Sequence, residues 1–416
     1  MTDVALDVDA CRRQFPALNL DAEELPPIYF DGPAGSQTPQ GVIDAISHYL
    51  ITMNANHGGV FTTSRNSDSL LDEAHLAAAE FVGAHDPDEV AFGGNMTSLT
   101  MALSRALART WQPGDEVIVT HLDHDANVSP WVLAARDAGA VVRQVAVRPG
   151  DCTLDRDDFR AKLTPRTRLV AVGAASNAVG TVNPVAEITR LAHEVGALVF
   201  IDAVHYAPHR RLKVTEWGCD FLACSAYKFF GPHVGVMWGR RNLLETLPAY
   251  KLRPAPDDLP GKWMTGTQNH ECIAGVLAAI EYLADLGRGR RPEVLERREA
   301  LDSAYELIMA HERRLTLDFL KGFAELKGYE LHGIRDPQRV DERVGTFGFR
   351  HERWKASEVA EYLDTRGIYA WHGNFYALPL TEFLGLEPDG IVRVGMLHYN
   401  TSSEVARLIA ALADLD

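Results

Sequence analysis

The sequence predicts an α/β protein, with a large domain on a mostly parallel sheet and a smaller α+β domain. Three observations point there. Short apolar runs alternate with helical patterns through the middle of the chain; several of those runs lack polar alternation, as strands covered on both faces do; and the rhythm changes after about residue 260. The strand candidates are residues 117–120, 141–147, 169–174, 198–202, 221–225 and 234–238, and the helix candidates between them are 99–110, 130–138 and 185–195. This βαβ alternation places helices on both faces of a parallel sheet. Beyond it a long helical stretch covers roughly residues 271–325, broken at the Gly, Arg and Pro cluster 287–292. A strand at 346–351, a helix at 357–366, a strand at 391–397 and a helix at 402–415 complete the smaller domain. The segment before Tyr29 is expected to pack with it, so the boundaries read 30–265 for the large domain and 1–29 with 266–416 for the small one.

The 416 residues are 46% hydrophobic and 24% charged, ordinary for a globular protein with a sizeable core. The net charge is −16, from 57 acidic residues against 41 Lys and Arg. Such a surface repels a phosphate backbone or an anionic membrane, so neither nucleic acid nor membrane is an expected partner. The opening MTDVALDVDACRRQF does not read as a signal peptide, and no stretch is long and apolar enough to span a bilayer. The five cysteines, Cys11, Cys152, Cys219, Cys224 and Cys272, are odd in number and scattered, without a CxxC pair. That pattern points to a reducing, cytoplasmic setting and to no metal site. There is no internal repeat.

Ser225-Ala226-Tyr227-Lys228 closes an apolar strand. Lysine is seldom buried, and burial favours its neutral, nucleophilic amine, the form that builds a Schiff base. Taken alone, a lysine at a strand end more often lays its stem on apolar surface and keeps its charge in water. Upstream, Asp202 closes the apolar run 198–202. A carboxylate there needs a cationic or donor partner, or caps the helix that follows. His205 lies three residues on. Phe92-Gly93-Gly94-Asn95-Met96-Thr97-Ser98 sets glycines after a strand and hydroxyls at a helix start, which suits an anion, though Thr and Ser are also ordinary helix caps. Ser225 and Tyr227 can add donors. His124 follows the 117–120 strand, where its ring either lies over a bound planar group or sits on a surface loop.

Together these segments resemble the class V aminotransferase family of fold type I PLP-dependent transferases (PLP, pyridoxal 5′-phosphate), in its cysteine desulfurase-like branch. Tyr29-Phe30-Asp31-Gly32-Pro33-Ala34-Gly35 is similar to the family's opening YLD-x-A segment, and Gly114-Asp115-Glu116-Val117 with His124-x-Ala126-Asn127 to its GDEI…H-x-AN segment. Ser176-Asn177-Ala178-Val179-Gly180-Thr181, Asp202-x-x-His205, Ser225-x-Tyr227-Lys228, Gly266-Thr267-Gln268-Asn269 and Arg393-Val394-Gly395 follow in order. The resemblance implies that Lys228 binds PLP covalently, Asp202 pairs with its ring nitrogen and His124 stacks on its ring. It also implies that Asn177 and His205 contact the ring hydroxyl side, and that Met96, Thr97, Ser225 and Tyr227 surround the phosphate. Thr267 is expected to reach the partner subunit's phosphate, which makes the unit a homodimer with shared active sites. Arg393 is expected to hold the carboxylate of an amino-acid substrate.

Two departures bear on the reaction. Desulfurases carry a catalytic cysteine on a loop of the small domain; here residues 367–379 read GIYAWHGNFYALP, without one. Trp371, His372, Asn374, Phe375 and Tyr376 are expected to line a side-chain pocket instead. His205 and Tyr227 stand where desulfurases usually carry glutamine and histidine. The reading favours a C–S lyase that releases its product by β-elimination, without an enzyme persulfide. Transamination or epimerisation is the alternative, and a non-catalytic relative that only binds PLP or a protein is the reading from another class.

Overall fold

The computed structural model describes residues 5–20, 26–290 and 296–415. Its large sheet has seven strands in the order Val90–Gly93, Gly235–Gly239, Phe221–Ser225, Leu198–Asp202, Thr167–Gly173, Glu116–Thr120, Val141–Val145. All neighbours pair in parallel except Gly235–Gly239, which runs antiparallel to both of its own. Leu198–Asp202 and Phe221–Ser225 are buried almost throughout, as their apolar composition demands. Helices Met96–Ala108, Ser129–Ala138 and Val185–Glu194 flank the sheet within a residue or a turn of their expected limits.

The smaller sheet is antiparallel, in the order Tyr329–His332, Thr346–His351, Ile391–Gly395, Trp371–Gly373. Helices Ala356–Asp364 and Ser402–Ala413 cover it. Ile28–Tyr29 pairs in parallel with Ile368–Tyr369, and Ile28 and Phe30 enter the same core as Phe347, Val392 and Val394. Further up the N-terminal segment, Arg12 donates to the Tyr399 carbonyl and to Glu404 Oε1. Phe15 is fully buried in the core of the large sheet, edge-on to Phe230, Tyr282 and Tyr399.

Other differences have local causes. The strand expected at 141–147 stops at Val145, because Ala146 leaves the ladder: its N–H donates to Asp158 Oδ2 at 2.8 Å and its carbonyl accepts from Asp155 N at 2.9 Å. Val147–Arg148 then pairs with Thr153–Leu154. Helix His270–Arg290 ends within the stretch 287–292 where a break is expected, but it runs through Gly287. A Cβ there would collide with the Ala300 carbonyl oxygen on the facing helix Arg297–Phe323, so this glycine serves close helix packing rather than a turn. Arg291 and Pro292 lie outside the described residues. Helices Gln40–Thr52 and Thr62–Val82, not among those read from the sequence, pack on His270–Arg290.

Candidate active site

The C-terminal ends of the parallel strands and the start of helix Met96–Ala108 open into a cleft of about 810 Å³, closed on one side by residues of the small sheet. Such ends are where open α/β sheets bind ligands. Lys228 lies in it at the end of the short turn Ala226–Lys228, 8% exposed. Its ammonium donates to the carbonyls of Pro33 and Ala34, the latter at 2.9 Å. Burial, with Arg393 nearby, lowers its pKa to about 7 against the opposing pull of Asp202 and Asp31. Asp202 is buried on the same floor; burial raises its pKa to about 6, although its Oδ1 accepts from Val204 N at 2.9 Å.

At one end of the cleft, Asn95 caps the helix by accepting from Ser98 N, and the Ser98 hydroxyl reciprocates. Met96 N–H donates to Ser225 Oγ at 2.9 Å. Met96 is therefore spent on a neighbour, and the Ser225 hydroxyl keeps its own proton to donate. Thr97, at the second helical position, lines the cleft where the helix end favours an anion. Tyr227 stacks on His233, ring centroids 5.0 Å apart, and both line the cleft.

At the other end Arg393 is 4% exposed. Its Nη1 donates to the Asn177 carbonyl at 3.0 Å, its guanidinium lies 4.0 Å over the Phe375 ring, and its buried Nε has no partner. Burial lowers its pKa to about 9. Asn177 donates from Nδ2 to the Phe375 carbonyl at 2.9 Å, and its Oδ1 is likewise buried without a partner. The loop here is held from two sides, because Asp125 N also donates to the Tyr376 carbonyl at 2.7 Å. Phe375 and Tyr376 take the left-handed backbone region, φ 56° and 57°, costly for bulky residues and sustained by these contacts. The Tyr376 ring stacks against His124 at 5.4 Å; His124 Nδ1 accepts from Ala126 N, and burial with Lys228 and Arg393 nearby lowers its pKa to about 4.

Of the expected site residues, the cleft gathers Lys228, Asp202, His124, Met96, Thr97, Asn177, His205, Ser225, Tyr227, Arg393, Trp371 and Tyr376. His372 is not among the residues that line the cleft. Register pairs Trp371 with Arg393 and His372 with Val392, so strand alternation turns His372 to the opposite face, outside the cleft. Asn374 is also outside it, donating to Glu387 Oε1. Thr267 is exposed on a bend beyond the cleft wall. Two carboxyl groups have no place among the residues expected from the sequence. Asp123 lines the cleft fully buried, accepting from Thr120 Oγ1 and from Asn127 Nδ2, and burial lifts its pKa to about 7. Asp31 is pushed to about 6 by burial, opposed by Arg393 and Lys228, and its Oδ1 has no partner. The acidic run around His124 is the only sequence signal for the first.

The class V aminotransferase family model matches residues 28–408. An aminotransferase-like protein, FGM3, of Gibberella zeae is 32% identical, over 99% of each chain. A cysteine desulfurase of Dickeya dadantii is 31% identical, over 97% of this chain and 96% of its own. Among solved structures, the apo cysteine desulfurase of Thermococcus onnurineus superposes with a TM-score of 0.87 at 26% identity, covering 100% and 99% of the two chains. The cysteine desulfurase CsdA of Escherichia coli gives 0.82 at 26% identity, covering 98% of each. Enzymes of this kind use PLP, and the cleft suits it: a lysine held near its neutral form, a buried carboxylate on the same floor, an open helix N-terminus at one end, and unpartnered polar atoms of Asn177 and Arg393 at the other. The chain is a PLP-dependent enzyme belonging to the class V aminotransferase family.

Proposed function

We propose that this enzyme cleaves a C–S bond of an α-amino acid by β-elimination and carries no sulfur on a cysteine of its own. The observation behind this reading is the loop at residues 370–379. It reaches the cleft through Trp371, Phe375 and Tyr376, is pinned by Asn177 and Asp125, and holds no thiol. None of the five cysteines lines the cleft. Four are buried, and the half-buried Cys272 has its pKa raised by burial and by Glu271, which keeps its thiol protonated and a poor nucleophile.

In this reading Lys228 would anchor PLP, Asp202 would pair with its ring nitrogen and His124 would stack on its ring. Thr97, Ser225 and Tyr227 hold the phosphate, with Met96 orienting Ser225. Asn177 and His205 lie on the ring hydroxyl side. Thr267 completes the partner subunit's site in a homodimer, and the unpaired cysteines favour a cytoplasmic setting. When bound, PLP supplies an electron sink for the bond broken at the substrate Cα. Arg393 orients the substrate carboxylate through the N–H groups left unpartnered once Nη1 donates to Asn177. The Lys228 amine takes the Cα proton, a role suited to a base whose pKa lies near 7. Trp371, Phe375 and Tyr376 would border the substrate's side chain.

The test is turnover of L-cysteine and a panel of S-substituted cysteines, with product identification and persulfide mapping by mass spectrometry. Free thiol or sulfide, ammonia and a 2-oxo acid, with no protein persulfide, are the expected products. A 2-oxo acid that keeps the sulfur side chain makes the enzyme a transaminase, and inverted substrate makes it an epimerase. A stoichiometric persulfide on Cys272, with desulfuration lost in Cys272→Ser, overturns the reading.

A further inference from the structure

Arg393 is a buried cation without an ion-pair partner among the described residues. A charge in that position is costly unless the protein offsets it. Three contacts form a closed circuit around it. Nη1 donates to the Asn177 carbonyl at 3.0 Å. Asn177 Nδ2 donates to the Phe375 carbonyl at 2.9 Å. The Phe375 ring then lies against the guanidinium, whose central carbon is 4.0 Å from the ring centroid. To serve Asn177 with its carbonyl and Arg393 with its ring, Phe375 holds φ at 56°, a conformation that a bulky residue seldom adopts. Apolar cover alone requires no such backbone. Trp371, the partner of Arg393 in register, lines the same cleft from a regular strand. The carboxylate that acts on Arg393 is Asp31. Asp31 bridges in parallel to Gly395, two positions beyond Arg393 on the strand Ile391–Gly395, so both side chains leave on the same face. Its Oδ1 is buried without a partner, yet the two residues are not an ion pair.

We propose that Phe375 is a positioning residue for Arg393: its ring stands in for a counter-charge on the guanidinium face, holds the group away from Asp31, and leaves the Nε–Nη2 edge open to the substrate carboxylate. The division follows from the shapes of the two groups. A guanidinium stacks on an aromatic ring through its flat face, whereas its N–H donors all lie in its plane. The ring therefore stabilises the charge without occupying a donor. A carboxylate in the same place would take the donors and compete with the substrate. The inference rests on the reading of Arg393 as the residue that holds the substrate carboxylate.

The experiment measures ligand affinity of the holoenzyme from the change in cofactor absorbance. The probes are 2-methylalanine, which has no Cα proton to lose, and isopropylamine, the same molecule without its carboxylate. Phe375→Leu keeps apolar bulk and removes the ring. It should lower the affinity for 2-methylalanine, relative to isopropylamine, by roughly 5- to 30-fold, the range of a partly to fully desolvated contact between a cation and a ring. Adding Asp31→Asn removes the carboxylate to which the freed guanidinium turns, and should recover most of that loss. An unchanged ratio of the two affinities in Phe375→Leu overturns the proposal, and so does a loss that Asp31→Asn leaves in place. Should Phe375→Leu fail to fold, fluorinated phenylalanines at position 375 keep the shape while draining the negative face of the ring. A stepwise fall in the ratio with added fluorine supports the proposal, and a constant ratio overturns it. Arg393→Ala keeps the two readings apart. If that variant binds 2-methylalanine as the wild type does, Arg393 is not the carboxylate holder. A loss in Arg393→Ala with none in Phe375→Leu sinks only the role of the ring.

Discussion

Replacing Arg393 by alanine separates two jobs that one side chain performs. Its Nη1 donates to the Asn177 carbonyl, and its stack on Phe375 steadies the loop over the cleft, whatever substrate is bound. Its remaining N–H groups, on Nε and Nη2, have no protein partner and are the donors left for a substrate carboxylate. A hydrogen bond to a charged group contributes about 1.5–3 kcal/mol. At 1.36 kcal/mol per tenfold, the carboxylate-specific loss in kcat/KM is roughly 10- to 150-fold. The assay compares each productive amino acid with its decarboxylated amine, in wild type and Arg393→Ala. Damage to the loop lowers both substrates alike, whereas loss of the carboxylate contact lowers the amino acid alone. Equal losses for the two refute the assignment of Arg393 to the substrate carboxylate, whatever their absolute size.

The Lys228 amine should reach its reactive, neutral form above a pH of about 7. The rate at which cofactor-free protein takes up PLP should therefore rise with pH and level off there; a rise that continues toward 10 contradicts the burial argument, and a borohydride-reducible linkage surviving in Lys228→Ala contradicts the residue assignment. Gly287→Ala forces a methyl group onto the Ala300 carbonyl between two long helices, and should destabilise the fold by about 1–3 kcal/mol in chemical denaturation; an unchanged midpoint means that the helices part without cost.

The large sheet is legible in the sequence because strands covered on both faces must be apolar throughout, and a polar residue at the end of such a run stands out. Asp202 and Lys228 are two such residues, and the order of the family segments along the chain singles them out by itself. Where a strand has one covered face, or where a backbone group finds a partner outside the ladder, local pattern misleads: Val145 ends a strand that composition would extend, because Asp158 and Asp155 capture Ala146. Gly287 reads as a breaker in one dimension and as a helix contact in three.

The candidate site divides in the same way. The resemblance of the ordered segments around Thr97, Asp202 and Lys228 to the class V aminotransferase family implied the PLP class, since each of these residues alone also has an ordinary structural use. Only the tertiary structure decided which side chains of the 370–379 loop face inward, since a strand's side alternates with each residue and its register depends on a partner more than ten residues away. Trp371 is turned in and His372 out for that reason. The hydrogen bond from Asn177 to the Phe375 carbonyl, across 198 positions, was equally out of reach, because nothing local in a sequence says that two distant polar groups will share one space and must satisfy each other there.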